Sequence, residues 1–242
     1  MRIIVTLHTE QLRLPLACNH LLQGLLYHIV GADPHYGEFL HDTGFNAGNK
    51  RFKLFVFRPL YGTHAVEGKQ ILFPDGASLE LRSPDAAFIQ AFFAACRPGM
   101  HFSLNGQPVT VTNCRLENAP LLQDGVRVRT LSPITVHTTD AARHTTYYAP
   151  PDAAFYDLID RNARRKWNSF YGDAPFDFSV EAAQDASFRR VVTTFKGVYI
   201  TAWHGEFFLH GSPHALDFLY HTGLGARSSQ GFGMFAPLPE KA

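Results

Sequence analysis

Residues 1–8 alternate apolar and polar positions and are rich in Ile and Val, which predicts a half-buried β-strand. From Asn19 the period becomes helical. Leu22, Leu25, Leu26 and Ile29 recur on one face up to about Val30, and Asn19 is positioned to cap that helix. Tyr27, His20 and Gln23 fall on the side away from the apolar stripe, which leaves the tyrosine able to meet a ligand. A loop follows with His35, Tyr36 and His41, then residues 46–50, then an apolar strand over 52–57. Residues 62–68 turn the chain toward a strand at 70–73, and Pro74-Asp75-Gly76 turns it again into a strand at 78–81. Ser83 or Asp85 caps a second helix through Ala95, closed by Pro98-Gly99, and strands at 100–104 and 109–116 complete the first half.

The second half repeats that order without a residue-level repeat. Residues 126–136 read as a strand interrupted at Ser132-Pro133, and 152–170 as a long helix. On the helix, Phe155, Ile159, Ala163, Trp167 and Phe170 share an arc, with Arg161, Arg164 and Arg165 opposite. Residues 188–196 and 198–209 form a hairpin about Gly197. Ser212 and Pro213 open a short helix that ends at Thr222. Gly223, Gly225, Gly231 and Gly233 then bracket Arg227, Ser228 and Ser229 before a closing aromatic strand. Such glycines permit positive φ or close backbone approach, and the amides of a loop of this kind suit a phosphate. The pattern predicts an α+β fold of two tandem ferredoxin-like units with antiparallel sheets, over 1–119 and 120–242, linked at 118–125.

Composition narrows the function. The chain has 242 residues, with a net charge of only +1, so a nucleic-acid site has to be local rather than a general basic coat. Local clusters exist at Lys50, Arg51 and Lys53, and at Arg161, Arg164, Arg165 and Lys166. The 3 cysteines are isolated, which argues against a disulfide framework or zinc ribbon and fits a cytoplasmic protein. No apolar run is long enough to span a membrane, and the first residues do not read as a signal peptide. His210 and His214 have one zinc-like spacing, but Pro213 opens a helix between them, so no metal is expected. A dinucleotide-binding reading of the glycines fails because no strand-helix-strand unit follows them.

The order Ser132-Pro133-Ile134, Gly211-Ser212-Pro213 before a short helix, then Gly223-x-Gly225 with Gly231-Phe232-Gly233 resembles the Cas-six family of CRISPR precursor-RNA endoribonucleases. The N-terminal half fits more loosely, through the helix with Tyr27, the histidine loop and the lysines before the next strand. The resemblance implies a pair of ferredoxin-like (RRM-like) units that bind CRISPR repeat RNA and cut precursor crRNA without metal or other cofactor. It points to His41 as general acid or base; His20, on the polar face beside Tyr27, is the runner-up, and His35 a weaker third. It points to Tyr27 as its partner and to Lys50 or Lys53 as the cation. It gives the glycine-rich segment, with Arg227, Ser228 and Ser229, to RNA binding, and the Arg161, Arg164 and Arg165 face can join it. The alternative is a non-catalytic repeat-binding protein or an effector-complex subunit, and exposed sheet edges allow a homodimer.

Overall fold

The computed structural model describes residues 1–48 and 50–239. In the first unit, strand Arg2–His8 is central because its Ile3, Val5 and Leu7 side chains point into one core. Helix α1 (Asn19–Val30) packs there through Leu22, Leu25, Leu26 and Ile29. Residues 34–43, expected as loop, form a short helix α2 (Pro34–Glu38) that runs into a π-helical turn Phe39–Thr43. Helix α3 (Ala86–Ala95) is capped by Asp85, whose side chain accepts from the Ala87 amide. The sheet runs Val56–Phe57, Ala77–Arg82, Arg2–His8, Gln107–Glu117, His101–Leu104, all pairs antiparallel. Four of these strands with α1 and α3 make the βαββαβ ferredoxin-like arrangement, and His101–Leu104 is an added edge.

The second unit has the same strand order: Phe178–Ala182, Glu206–Gly211, Val126–Thr130, Phe235–Pro237. Helices α4 (Ala153–Tyr171) and α5 (Pro213–Thr222) cover its core, where Phe155, Ile159, Trp167 and Phe218 meet Val128, Phe207 and Leu209. The fold class is thus α+β with two ferredoxin-like sheets, the first ending at Glu117 and the second beginning at Val126.

Several elements depart from the pattern, for local reasons. The strand expected over 126–136 with an interruption at Ser132-Pro133 ends at Thr130 and does not resume as a strand of the same sheet. Ser132 Oγ there accepts from the Met234 amide, and Ile134 makes a bridge to Trp203 instead. The hairpin about Gly197 covers Arg189–Phe195 and Val198–His204. Gly205 ends it, and the next strand joins the main sheet. A Cβ at Gly205 would lie 2.4 Å from the Phe188 ring, so the bend requires glycine. The apolar strand expected over 52–57 is divided. Lys50–Phe52 pairs with Phe45–Ala47, and Val56–Phe57 joins the first sheet. Phe45, Phe52 and Leu54, although early in the chain, pack against the second core, so the connection 45–54 straddles both units.

The two units are held together by buried polar contacts. Arg82, 0% exposed, donates to Glu80 Oε1 at 2.6 Å and to the Phe235 carbonyl at 2.8 Å, and its guanidinium lies 3.7 Å from the Tyr220 ring centre. Asn19 does not cap its own helix. Its amide donates to the carbonyls of Gln230 (2.9 Å) and Gly231 (3.4 Å), and Gln23 donates to Ser229 O at 2.6 Å. Among the described residues no helix is long and apolar enough to cross a membrane.

Candidate nucleic-acid interface

The polar side of α1 opens onto a cavity of about 510 Å³ lined by His20, Gln23, Tyr27, Glu38, Leu40, Lys53 and Lys196, with small residues that include Gly24 and Gly31. Tyr27 is half-buried and meets the Phe55 ring edge-on at 6.0 Å. Burial pushes its hydroxyl pKa up, so the group is protonated at neutral pH and able to donate. Burial lowers the Lys53 pKa, with the nearby Arg51 charge adding to that effect and Asp42 opposing it. The Nδ1 atom of His20 is buried without a hydrogen-bond partner among the described residues. His41 belongs to the π-helical turn, between Leu40 of the cavity wall and Asp42. Its side chain, like that of His35, lies outside the described residues.

Lys53 also lines a second cleft of about 270 Å³, with Lys50, Arg51, His137, Asn162, Lys166, Gly225, Arg227, Ser228 and Ser229. This cleft combines residues of both units. The Lys50 pKa is lowered by burial and then by Arg165 and Arg161, an arrangement of like charges that favours an anion between them. His137 is pushed down to about 4 by burial, with Arg227 and Lys50 adding to it, so it is a neutral ring inside a cationic cleft. The two lysines that the sequence could not separate therefore divide by position. Lys53 shares the Tyr27 cavity, and Lys50 faces Arg161 and Arg165.

The glycine-rich segment lines the second cleft through residues 225–229. Gly223, Gly225, Gly231 and Gly233 all have positive φ, from 71° to 86°, and all are buried, contrary to the expectation of an open amide loop. A Cβ on Gly233 would sit 1.9 Å from Leu224 O, and one on Gly231 2.7 Å from Asn19 Nδ2. Gly223 against Val56 and Gly231 against Asn19 and Phe57 thus serve close packing between the units, Gly225 and Gly233 serve it within the second, and Ala226, Arg227 and Ser229 remain partly accessible at the cleft. Arg227, itself at φ +60°, donates to Gln230 Oε1 at 3.0 Å. Ser228 is buried and accepts from Lys166 Nζ at 2.8 Å.

Lys166 is the residue the sequence misread. Grouped by composition with the surface arginines, it is 4% exposed and donates to Thr222 O, Gly223 O and Ser228 Oγ, so it pins the start of the glycine segment. Burial pushes its pKa down to about 7. Its place beside Ala163 and Trp167 on the helical wheel was the available signal. Arg164, of the predicted arginine face, donates to Phe176 O at 3.1 Å and to Asp160 at 3.3 Å. A further basic surface unread in the sequence brings Arg58 of the first unit beside Arg129 and Arg189 of the second, around a groove of about 660 Å³. Among the described residues, no three His, Cys, Asp or Glu side chains are grouped to hold a metal ion.

This geometry accompanies a clear family relationship. Residues 117–237, half of the chain, match the family described as CRISPR associated protein Cas6, C-terminal. The chain belongs to the Cas6 family. It is 28% identical to the CRISPR-associated endoribonuclease Cas6 of Pyrococcus furiosus, over 97% of this chain and 89% of that protein. It is 25% identical to the CRISPR-associated endoribonuclease Cas6 1 of Methanocaldococcus jannaschii, over 100% of this chain and 94% of the relative. A solved structure of a Cas6-related protein from Pyrococcus furiosus shares the fold, with a TM-score of 0.85 at 21% identity, over 100% of this chain and 99% of that one. The Cas6 match begins at the end of the first sheet, so it contains all of the glycine-rich segment.

Proposed function

We propose that the chain is an endoribonuclease that binds CRISPR repeat RNA and cleaves precursor crRNA, without metal, by attack of the RNA's own 2′-hydroxyl. The observation that carries this reading is Lys53, which lines both the Tyr27 cavity and the cationic cleft, so a strand held by Lys50 and Arg227 in the cleft, with Arg161 and Arg165 acting on Lys50, leads directly to the cavity. Both activity and substrate class agree with the names of the two relatives. The 2′-oxygen bonds to phosphorus, the bond from phosphorus to the 5′-oxygen breaks, and the products carry a 2′,3′-cyclic phosphate and a 5′-hydroxyl. One group takes the 2′-hydroxyl proton and another protonates the 5′-oxygen. His41 fills the first role, since an imidazole's ordinary pKa lies near neutrality. Tyr27, kept protonated by burial, suits the second, and Lys53 stabilises the charge that builds on the phosphorane.

The test is incubation of purified protein with the repeat RNA of its own locus in EDTA, with end-group analysis of the products. Cleavage to a cyclic phosphate is expected. His41→Ala is expected to lower the rate by about 10²-fold or more, with RNA affinity retained. A requirement for magnesium, or wild-type cutting by His41→Ala, overturns the mechanism. Tight repeat binding with no cutting by the wild-type protein favours a non-catalytic repeat-binding protein or effector-complex subunit instead.

A further inference from the structure

The hairpin Arg189–Phe195 and Val198–His204 is inserted between two strands of the second sheet and belongs to neither main sheet. Its tip crosses to the first unit. Phe195, 6% exposed, meets the ring of His20 on α1 edge-on at 6.3 Å, and it packs with Ile200, Ala202 and Phe232 in a small core of its own. Tyr147 ties the outer strand by donating its hydroxyl to Tyr199 O at 3.0 Å. The tip is therefore held in place.

The turn consists of Lys196 at φ +49° and Gly197 at φ +81°, between the paired residues Phe195 and Val198. Two successive positive φ values are those of a type I′ turn, whose first central position favours Asn, Asp or Gly. Lysine is a poor choice for that backbone, so its presence calls for a use of the side chain. Lys196 is exposed, yet it lines the cavity that contains His20, Tyr27 and Lys53. The described lining of that cavity has one carboxylate, Glu38, against two lysines. Lys196 is also the lining residue that comes from the second unit, because all the others lie between residues 20 and 53.

We propose that Lys196 contacts an RNA phosphate in the Tyr27 cavity, so that the second unit completes a cleavage site otherwise built from the first. The contact rests on the endoribonuclease reading above. A cation there positions the strand over Tyr27 and adds to the positive charge around the scissile phosphate. The fixed turn holds the lysine stem at the cavity mouth, which limits what the side chain loses on binding.

The experiment compares Lys196→Ala, Lys196→Arg and Arg190→Ala. The last removes an exposed cation from the same hairpin that lines none of the cavities described. With full-length protein and its own repeat RNA, single-turnover cleavage at saturating enzyme is expected to fall about tenfold or more in Lys196→Ala. Lys196→Arg should recover most of that rate, and Arg190→Ala should stay within about twofold of wild type. Binding of a 2′-deoxy repeat that cannot be cut supplies a second readout. Lys196→Ala should reduce the slope of log K against log salt by about 0.7, the value for one lost phosphate contact on a single strand. Arg190→Ala should leave that slope unchanged. Equal rates and slopes in Lys196→Ala and wild type, or equal losses in Lys196→Ala and Arg190→Ala, overturn the proposal. A wild-type protein that binds but does not cut refutes the endoribonuclease reading alone, and the salt slopes then decide whether Lys196 contacts RNA.

Discussion

At the scale of single residues, two half-buried histidines matter for stability. His137 and His204 are each pushed down to about 4, in both cases mainly by burial, with Arg227 and Lys50 adding at His137 and Arg189 at His204. Between an ordinary histidine pKa of about 6.5 and about 4, the unfolded chain takes up protons that the folded chain refuses. Their contribution to stability is therefore complete above about pH 6.5 and is lost as pH falls toward 4. Urea midpoints at pH 7 and pH 5 should show this loss, and the double variant His137→Asn, His204→Asn should flatten it. Neither ring stood out in the sequence, because desolvation comes from residues far along the chain. Asn19 illustrates the same limit: its place before an apolar stripe reads as a cap, but its partner carbonyl is 211 residues away.

At the scale of elements, the glycine-rich segment separates two uses of the same residue type. Gly172, at the end of α4, has φ +66° and open space where a Cβ would go. Gly172→Ala is expected to cost about 1–3 kcal/mol, the penalty of its φ +66°, ψ −141° backbone alone. Gly233 has φ +80° and a carbonyl oxygen 1.9 Å from the same point. Gly233→Ala is expected to cost several kcal/mol, about 3 or more, or to prevent folding, since the backbone of Leu224 cannot give way cheaply. Thermal melts of the two variants measure the contrast. Helices α1, α3, α4 and α5 and the central strands Arg2–His8 and Val126–Thr130 were legible in the sequence because their periodicity is set by their own cores, whereas the edge strand Phe178–Ala182 of the second sheet was not read. Nor were helix α2, the hairpin 45–52 and the division of the strand about Gly205. Phe45 and Phe52 are fixed by the second core, the bend at Gly205 by the Phe188 ring, and α2 by Tyr36 against Phe88 of α3, and such contacts leave no period. The site followed the same rule: the Tyr27 face was readable from one helix, whereas Lys196 and His137 reach their clefts from a hairpin and a short strand of the second unit.

At the scale of the whole molecule, the two units act as one body to the extent that Arg82 remains paired. Arg82→Met would leave the Phe235 carbonyl without its donor and remove the main partner of buried Glu80. Breaking a buried pair of this kind costs about 3–5 kcal/mol. Because both losses fall at the boundary, calorimetry of Arg82→Met should show the units melting apart rather than in a single transition. A variant that melts as one transition at the wild-type temperature would show that the apolar contacts, such as Val56 against Gly223, suffice to join them.

The pairing of Asn19 and Gln23 with residues 229–231 also bears on how the protein is made. Helix α1 leaves the ribosome early, but the backbone that its polar side binds is translated some two hundred residues later. During most of synthesis, therefore, the amides of Asn19 and Gln23 are paired with water rather than with residues 229–231. The lining of the cleft is therefore completed only when residues 229–231 dock on α1, which makes this a contact of high sequence separation formed late in folding.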